Sequence, residues 1–408
     1  MVSFALNVEP RRHARAKRPW TLIWSPSMPD VALADPDEYL GLPGWVYSNT
    51  RFFAAERERV LAPSWQVVCH LNDIPQAGDF HTFEFIGESI VVIRGRDGVP
   101  RAFSNVCLHR GARLLDSPDG HCGSIICPYH AWSYNLEGRL TGIPLPETYR
   151  DLHLGERCLP PIELEVFKGF IFVRLEGGGP SLAEMAAPYA DELEPYRFEQ
   201  LQPAHRSALI SLRANWKTIG DNYSDGRHIT VAHPGLARLF GHSYGFEAGP
   251  WMDKMWGQLR DDPSDNPTER AYQTLLPDVE HLPANRKRLW AYYKLWPNVA
   301  FDVYPDQVDF MQWIPISSTE TLIRETAYVL PDSRREMRAV RYLNWRINRR
   351  VNAEDTSLVL RVQQGMASRW YEPGPLSVTE VCLSGFARRL RALIPEARLH
   401  HPPADWNV

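Results

Sequence analysis

Two short segments of the sequence each pair a cysteine with a histidine. Cys107 lies two residues before His109, and Cys127 lies three residues before His130. Thiolate and imidazole together bind zinc or the irons of an iron–sulfur cluster. In a two-iron cluster we expect Cys107 and Cys127 to hold one iron and His109 and His130 to hold the other. Replacing two thiolates by neutral imidazoles makes the cluster less negative and raises its reduction potential.

Each segment contains one cysteine and one histidine, and this composition helps to distinguish an iron–sulfur cluster from a zinc site or a disulfide. A structural zinc site with two cysteines and two histidines is one alternative, and a Cys107–Cys127 disulfide is another. Each segment mixes the two residue types, and the flanking Arg110-Gly111 and Tyr129 are expected to donate hydrogen bonds to cluster sulfurs. Over residues 107–132 the pattern resembles the Rieske [2Fe–2S] motif, which favours the cluster.

A second group of candidate metal ligands lies in the second half of the chain. Asp225, His228 and His233 lie in or beside a helix predicted over residues 216–232, which we expect Pro234 to end. Asp225 and His228 are three residues apart and would share a helix face. Ordinary histidines at a helix end are the alternative. Beside a Rieske motif, two imidazoles and one carboxylate favour an iron(II) site with open positions for dioxygen and substrate.

The carboxylate of that iron site has to come from elsewhere in the chain, and Asp355 is the best candidate. It lies in an amphipathic helix predicted over residues 333–369, on the side that carries Leu358, Val359 and Val362, so it should face the core. A buried carboxylate is costly unless a metal or a hydrogen-bond donor compensates it. An exposed acid on the helix surface is the alternative. Weaker candidates are Glu354, Asp302, Asp306 and Asp309.

The elements around these residues predict an α+β protein. Residues 1–43 are expected to form an N-terminal arm, and residues 44–178 a helix followed by a small antiparallel β domain that carries the two cysteine–histidine loops. A linker is predicted at Gly177–Pro180. Residues 179–408 predict a larger domain with an antiparallel sheet flanked by helices. Its predicted elements include strands at 289–295, 299–304, 308–314 and 321–329 and a helix at 378–393.

Composition limits the range of partners and compartments. The chain has 408 residues, of which 44% are hydrophobic and 23% charged, as is typical of globular proteins. A net charge of -4 gives no indication of a nucleic-acid surface. No apolar run approaches the ~18 residues of a membrane span, and cysteines outside the cluster motif lack paired spacing. We therefore expect a cytoplasmic protein without a nucleic-acid or membrane partner.

Together with the cluster motif, the pattern Asp225-x-x-His228-x-x-x-x-His233 resembles the oxygenase α subunits of the Rieske non-heme iron oxygenases. The resemblance extends over about residues 42–389. It implies that His228, His233 and Asp355 hold a mononuclear Fe(II) in addition to the [2Fe–2S] cluster. It also implies that Asp225 links this iron to a Rieske histidine of a neighbouring subunit.

The C-terminal sequence narrows the resemblance to one branch of that family. Glu354-Asp355, Gln363–Met366 and Tyr371–Leu376 resemble the signature of the homotrimeric branch, which includes choline and betaine oxygenases. A homotrimer is therefore implied. Where the family often has Glu before Asn, this chain has Asp221-Asn222. The change is chemically mild and concerns packing more than metal ligation.

The function implied is that of a terminal oxygenase, which uses O₂ at the mononuclear iron to hydroxylate or oxidatively demethylate a small aromatic or N-methylated substrate. Hydroxylation covers both mono- and dihydroxylation. Without a G-x-G-x-x-G segment between a strand and a helix, the chain needs a separate reductase, with or without a ferredoxin, to deliver electrons from reduced nicotinamide. The alternative is a Rieske electron-transfer protein without oxygenase activity. Lys254, Arg238 and Lys294 are candidates to pair a substrate carboxylate.

Overall fold

Two seven-stranded antiparallel sheets form the framework of the protein. The computed structural model describes residues 39–150 and 152–406, without the side chains of residues 205 and 206. The predicted arm over residues 1–43 lies mostly outside the described residues. The α+β fold class predicted from the sequence is confirmed.

The first half of the described chain begins with a helix and continues as strands. Helix α1 (Thr50–Glu56) extends as a wider π-helical turn over Arg57–Leu61, which together match the predicted helix. The strands that follow are β1 (Gln66–His70), β2 (Asp79–Phe85), β3 (Glu88–Arg94), β4 (Pro100–Ser104), β5 (Asp119–His121), β6 (Ile125–Ile126), β7 (Ser133–Tyr134), β8 (Leu140–Gly142), β9 (Pro161–Phe167) and β10 (Phe170–Arg174).

These strands form one large and one small sheet. The large sheet has the order β1-β10-β9-β4-β3-β2-β5, and β6, β7 and β8 form a separate three-stranded sheet. Phe83 and Phe85 of β2 lie on one face of the large sheet and pack in the main core, whereas Phe80 lies on the other face. Phe80, Trp132 and Tyr134 belong to a separate apolar cluster that also contains both motif cysteines. The small sheet and this cluster therefore support the two loops that carry the cysteine–histidine pairs.

The second half of the chain contributes the other large sheet. Its strands are β11 (Gln202–Leu212), β12 (Gly245–Glu247), β13 (Met252–Gln258), β14 (Leu289–Leu295), β15 (Val299–Val303), β16 (Val308–Ser317) and β17 (Glu320–Val329), in the order β11-β17-β16-β15-β14-β13-β12. The four strands predicted between residues 289 and 329 are present as β14 to β17. Strand β13 was not predicted because Asp253 and Lys254 interrupt its apolar pattern, although both side chains are buried.

Helices pack against this sheet and position the candidate ligands. They are α2 (Leu182–Ala186), α3 (Ala190–Leu193), α4 (Trp216–Ser224), α5 (Ile229–Ala232), α6 (Pro234–Phe240), α7 (Pro267–Leu275), α8 (Arg335–Met366) and α9 (Val381–Leu393). The long predicted helix is confirmed as α8, which runs for 32 residues. No helix in the described part of the chain combines the length and apolarity that crossing a membrane requires.

The single helix predicted over residues 216–232 is wrong. Helix α4 ends at Ser224, and Asp225 has extended backbone angles, with φ at -88° and ψ at 106°. The Asp225 Oδ1 atom accepts a hydrogen bond from the backbone N–H of Arg227 at 2.8 Å, a local turn that competes with helical hydrogen bonding. Pro234 is the first residue of α6 instead of a terminator, because proline at that position loses no helical hydrogen bond.

A buried ion pair fixes α4 against α1. The Lys217 Nζ atom lies 2.7 Å from Glu56 Oε1, and both side chains are fully buried. The indole N–H of Trp216 donates to Glu56 Oε2 at 3.2 Å. Removing one partner of such a pair leaves an uncompensated buried charge and typically costs about 3–5 kcal/mol. The Tyr47 hydroxyl donates to Asp221 at 2.6 Å, so the aspartate at this position is a packing residue of α4.

Helix α8 is joined to α4 by direct hydrogen bonds. The Gln363 Oε1 atom accepts from the backbone N–H of Asn215 at 2.9 Å and from the Thr218 hydroxyl at 3.0 Å. The Asn215 side chain in turn caps α4 by accepting from the backbone N–H of Lys217. These contacts hold the segment with Asp225 and the histidines at a fixed distance from Asp355.

Candidate functional site

The two cysteine–histidine loops have matching backbone hydrogen bonds. Cys107 N–H donates to Ala112 O and Gly111 N–H donates to Cys107 O, at 2.8 and 3.0 Å. In the second loop, Cys127 N–H donates to the carbonyl of residue 132 and Ala131 N–H donates to Cys127 O, at the same two distances. The residue four positions after each cysteine has a positive φ, 71° at Gly111 and 52° at Ala131. The loops are therefore two copies of one turn, and each presents a cysteine and a histidine.

The four predicted cluster ligands lie together in this arrangement. Cys107 and Cys127 are buried free thiols, each 2% exposed. The rings of His109 and His130 lie at the outer side, with centroids 4.6 Å apart. His109 also stacks on Trp132 at 4.8 Å with nearly parallel planes. The structure brings these four residues together, and each half of the site is local in the chain.

The donor set fits a Rieske cluster. The Nδ1 atom of His109 is buried and has no hydrogen-bond partner, as expected of an atom reserved for a metal ligand. Burial raises the pKa of the Cys107 thiol, so a thiolate at this depth requires a cationic partner such as iron. Held by these residues, a [2Fe–2S] cluster would have two buried thiolates on one side and two imidazoles toward the surface.

One residue of the cluster site was missed. The Tyr134 hydroxyl lies 3.4 Å from Cys107 Sγ and accepts a hydrogen bond from the backbone N–H of Leu108 at 3.0 Å. The sequence predicts sulfur hydrogen bonds from Arg110 and Tyr129, whereas in the structure the Arg110 guanidinium donates to the Tyr129 hydroxyl at 3.3 Å. Tyr134 lies on strand β7, four residues after His130, and its closeness to that ligand in the sequence is the signal that indicates a role at the cluster.

The second metal site is assembled from two helical segments. His228 precedes α5, and His233 lies at the junction of α5 and α6, with φ at -114° and ψ at 77°. Asp355 lies on α8 and faces both histidines. The His228 and His233 Nε2 atoms are 3.0 Å apart, and Asp355 Oδ1 lies 3.4 and 3.0 Å from them. The structure therefore brings together the predicted triad, with the donor atoms of all three residues within 4.8 Å of one another.

A second carboxylate lies behind each histidine. The Nδ1 atom of His228 is 3.2 Å from Asp225 Oδ2, and the Nδ1 atom of His233 is 2.9 Å from Glu354 Oε2. Each carboxylate can accept a hydrogen bond from an Nδ1–H group, so that in the neutral imidazole each Nε2 atom has a lone pair available for a metal. Acceptor atoms facing one another at this distance fit a bound cation. The residues present thus fit a mononuclear iron held by two imidazoles and one carboxylate.

The pKa values reflect the same concentration of charge. Burial lowers the pKa of His228, but hydrogen bonds to Asp225 and Asp355 outweigh burial and raise it to about 9. Burial raises the pKa of Asp355, but hydrogen bonds from His228 and His233 lower it to about 2. Because metal ligation requires neutral imidazoles, metal binding at this site would release protons.

The weaker carboxylate candidates do not contribute to the triad. Glu354 contacts the far side of the His233 ring, and Asp302 lies on the wall of the adjoining cavity. Asp306 accepts a hydrogen bond from the Tyr272 hydroxyl at 2.6 Å, and Asp309 accepts from the side-chain amide of Gln307. The interpretation of Asp355 as an exposed surface acid is excluded by its contacts with both histidines.

The triad opens into a cavity of ≈ 120 Å³ between α4, α8 and the second large sheet. Four tyrosines, Tyr223, Tyr244, Tyr292 and Tyr304, line it together with aliphatic side chains such as Ile219. Asn222 donates a hydrogen bond from its side-chain amide to Asp355 Oδ1 at 3.1 Å. A largely apolar cavity beside three convergent metal ligands is the expected form of a small-molecule oxidation site.

None of the basic residues considered as substrate partners lines this cavity. Lys254 forms an ion pair with Glu192 at 2.6 Å, and Arg238 forms one with Glu269, also at 2.6 Å. Lys294 donates to the carbonyl of Gly220 at 3.0 Å. The prediction that these three side chains pair a substrate carboxylate is therefore wrong, because each is held by a partner inside the protein.

Comparisons with protein families match the two halves of the chain separately. Residues 64–161 match the Rieske [2Fe–2S] domain, and residues 182–396 match the catalytic domain of the ring-hydroxylating α subunits. The first match decides between an iron–sulfur cluster and a zinc site. The second match covers His228, His233 and Asp355, so the triad lies in a catalytic domain. This disfavours an electron carrier without oxygenase activity.

Relatives and solved structures agree with both matches. The carnitine monooxygenase oxygenase subunit of Escherichia coli (strain K12) is 30% identical over 366 residues, which cover 84% of this chain and 89% of that protein. The glycine betaine monooxygenase oxygenase subunit of Chromohalobacter salexigens is 35% identical over 197 residues, 48% of this chain and 43% of that protein.

Solved structures extend the similarity to the fold. The quaternary ammonium Rieske monooxygenase CntA in complex with L-carnitine has a TM-score of 0.73 and 26% identity, covering 90% of this chain and 99% of that chain. Naphthalene 1,2-dioxygenase with bound indole shares the fold, with a TM-score of 0.71 at 20% identity, covering 90% of this chain and 94% of that chain. The chain therefore belongs to the Rieske non-heme iron oxygenases, as an oxygenase subunit whose cofactors are a [2Fe–2S] cluster and a mononuclear iron.

Proposed function

We propose that this oxygenase subunit hydroxylates a carbon atom bonded to nitrogen in a small N-methylated ammonium compound. One observation carries the proposal: the clustered donor atoms of His228, His233 and Asp355 lie at the wall of a cavity that is also lined by four tyrosines. When bound, the mononuclear iron supplies O₂ activation, and open coordination positions are a property of two-histidine, one-carboxylate sites.

The residues around the triad have positioning roles. Asp225 and Glu354 each hold one imidazole by its Nδ1 proton and leave the Nε2 lone pair free for the metal. Asn222 orients Asp355 by donating to Oδ1. We assign His228, His233 and Asp355 as the ligands of the mononuclear iron, and Cys107, His109, Cys127 and His130 as the ligands of the cluster.

The walls of the cavity support an ammonium substrate. Tyrosine rings attract cations placed over their faces, and a site built from several rings is a common way to bind quaternary ammonium groups. The names of the relatives also support an ammonium substrate. They give carnitine and glycine betaine, both N-methylated ammonium compounds, as the substrates of those proteins. This agreement favours an N-methylated substrate over the small aromatic compounds that sequence analysis left open.

The proposed reaction uses one O₂, two electrons and two protons. One oxygen atom becomes a hydroxyl group on the carbon next to nitrogen, and the other leaves as water. The hydroxylated carbon then loses its O–H proton as the carbon–nitrogen bond breaks, which releases an aldehyde and an amine. Where the carbon is a methyl group, the aldehyde is formaldehyde and the outcome is demethylation.

The electrons require a second protein and a neighbouring subunit. The relatives are named as oxygenase subunits, and the CntA structure is described in terms of inter-subunit electron transfer. We propose a separate nicotinamide-dependent reductase, with or without a ferredoxin, and a homotrimer in which Asp225 connects His228 to the cluster of the next subunit. The side chain of Asp225 retains 25% exposure, which supports contact with a neighbour.

The domain assignment follows the two metal sites. We assign residues 1–43 to an N-terminal arm, residues 44–178 to the Rieske domain with its preceding helix, and residues 179–408 to the catalytic domain. The two family matches fall inside the second and third of these ranges.

Oxygen uptake in a reconstituted system tests the proposal. The iron-loaded protein, a Rieske-oxygenase reductase and reduced nicotinamide are combined with a panel of N-methylated ammonium compounds and a panel of small aromatic compounds. Substrate-dependent uptake with one aldehyde released per O₂ is the expected result. A cis-diol formed from an aromatic compound, without aldehyde, would overturn it.

A further inference from the structure

Apart from the two histidines of the metal site, the substrate cavity has acidic walls without a basic side chain. In addition to Asp225 and Asp355 at the metal site, Asp302 and Glu325 line the cavity. The lining residues in the part of the chain that the structure describes include no lysine and no arginine. This distribution of charge restricts which N-methylated compounds the cavity can hold.

Asp302 is buried and held only by neutral groups. Its side chain is 7% exposed, and it accepts hydrogen bonds from the Tyr223 hydroxyl and, at 3.5 Å, from the Tyr304 hydroxyl. On the sheet, Asp302 pairs with Tyr292 on one side and Asp309 on the other. Neither neighbour carries a positive charge, so no ion pair compensates the carboxylate.

Glu325 faces the same cavity from strand β17. It accepts a hydrogen bond from the side-chain amide of Asn352 at 3.1 Å. The next residue toward the N-terminus, Arg324, points to the opposite face of the sheet and donates to the carbonyl of Val67 at 3.1 Å. Because successive side chains alternate across a strand, the acid lies in the cavity and the base lies outside it.

Two carboxylates in this environment are costly without a cation. Burial raises the pKa of Asp302 to about 7 and raises the pKa of Glu325. A buried carboxylate is stabilised by a positive charge nearby and destabilised by another negative charge. A ligand with a net positive charge compensates both acids, whereas a ligand with its own carboxylate brings a further negative charge that has no basic partner outside the metal site.

We propose that this cavity selects an N-methylated substrate with a net positive charge and no carboxylate, and that it disfavours zwitterions. The inference rests on the proposed function and narrows it. It separates this chain from its relatives, because carnitine and glycine betaine both carry a carboxylate. Selectivity then comes from repulsion as much as from attraction, a common means of discriminating between similar ligands.

The test uses probes that differ in one charge. Tetramethylammonium and choline are monocations, glycine betaine replaces the alcohol of choline by a carboxylate, and 3,3-dimethylbutan-1-ol is the neutral isostere of choline. Binding to the iron-loaded full chain is measured by calorimetry without reductase. We expect choline to bind roughly 100-fold more tightly than glycine betaine, since like charges placed together in a binding site cost several kcal/mol.

Two variants locate the source of the preference. Glu325→Gln keeps the shape of the side chain and removes its charge, and we expect it to weaken choline binding roughly 10-fold and to narrow the preference over glycine betaine. Glu320→Gln removes a charge from the same strand at an exposed position that does not line the cavity. This control variant is expected to retain the wild-type preference.

Binding and turnover separate the two proposals. Equal or tighter binding of glycine betaine, or no binding of either monocation, overturns the charge preference. An unchanged preference in Glu325→Gln overturns the role of Glu325. Binding of choline with the expected preference, but no substrate-dependent oxygen uptake with any N-methylated compound, supports the charge preference and overturns the proposed reaction.

Discussion

Glu354 Oε2 lies 2.9 Å from the Nδ1 atom of His233, while the next residue, Asp355, lies 3.0 Å from the Nε2 atom of the same ring. Two consecutive acids of α8 therefore contact opposite sides of one imidazole. Asp355 is placed to share the metal, and Glu354 is placed to fix the tautomer and increase the basicity of the ring.

Removal of the Glu354 carboxylate should weaken iron binding at the mononuclear site. We expect Glu354→Ala to lower iron affinity by about 10–100-fold, the usual effect of losing a carboxylate behind a metal-bound histidine. Affinity is measured by chelator competition, and the visible spectrum reports the cluster independently. Arg350→Ala is the control, because Arg350 is exposed and contacts the other oxygen of Glu354 at 3.1 Å. Equal iron affinity in Glu354→Ala and wild type would contradict this role.

The ligand residues were predictable from the sequence to different degrees. The cluster site is local: two loops fold into the same turn, so the spacing of Cys107, His109, Cys127 and His130 predicts that they lie together, as they do in the structure. The phase of a long helix favours Asp355 over Glu354, and the structure brings Asp355 Oδ1 close to the Nε2 atoms of both histidines. The role of Glu354 was not predictable, because it depends on where His233 lies after α5 ends.

The errors arose where tertiary structure overrides local pattern. Helical spacing over residues 216–232 concealed a break, because the Asp225 side chain stabilises a turn at that point. The contact between Asp225 and His228 was predicted from a shared helix face and occurs across a turn instead. Lys254 and Lys294 were interpreted as possible substrate partners, but their internal partners come from distant segments and leave no sequence signal.

Tyr134 should raise the reduction potential of the cluster. Its hydroxyl accepts from Leu108 N–H, which leaves its own proton free to donate toward Cys107 Sγ at 3.4 Å. A hydrogen bond to a cluster ligand sulfur stabilises the more negative, reduced state. We expect Tyr134→Phe to retain the cluster and to lower its potential, measured by redox titration of the visible and circular dichroism spectra. Tyr129→Phe, an exposed position, serves as the control, and a Tyr134→Phe potential equal to wild type would exclude the contribution.

Cation binding should strengthen as pH rises through neutrality. Asp302, with a pKa raised to about 7 by burial, is largely protonated and neutral at pH 6 and largely ionised at pH 8. A negative Asp302 attracts a cation, so the Kd of tetramethylammonium should fall by roughly 10-fold from pH 6 to pH 8. The ionisable groups around Asp302 are Tyr223, Tyr244, Tyr292, Tyr304, Asp309 and Glu325.

Calorimetry at several pH values measures this dependence. Asp302→Asn cannot ionise, and its Kd should change much less over the same range. A wild-type Kd that is constant from pH 6 to pH 8, or that rises with pH, would show that Asp302 does not contribute to cation binding in this way.

Asp225 should carry electrons between subunits without holding the metal. Its Oδ2 atom contacts His228 Nδ1 at 3.2 Å, whereas the predicted triad is complete without it. Asp225→Asn preserves size and the oxygen that accepts from Arg227 N–H, so we expect both metal sites to remain loaded. The neutral amide no longer favours the required His228 tautomer or attracts a histidine of the neighbouring cluster, so electron transfer to the mononuclear iron should slow by about 10–100-fold or more.

A single turnover of the fully reduced protein, with substrate and O₂ but without reductase, resolves the role of Asp225. In Asp225→Asn the cluster should still be reduced by its partner, but it should reoxidise slowly and form little product in the time that wild type takes for one turnover. His228→Ala provides the contrasting case: it should lose the mononuclear iron and keep the cluster, so iron content should fall from about three to about two atoms per chain. If Asp225→Asn reoxidises its cluster and forms product at the wild-type rate, electrons do not pass through this carboxylate, and the proposed homotrimer loses its functional basis.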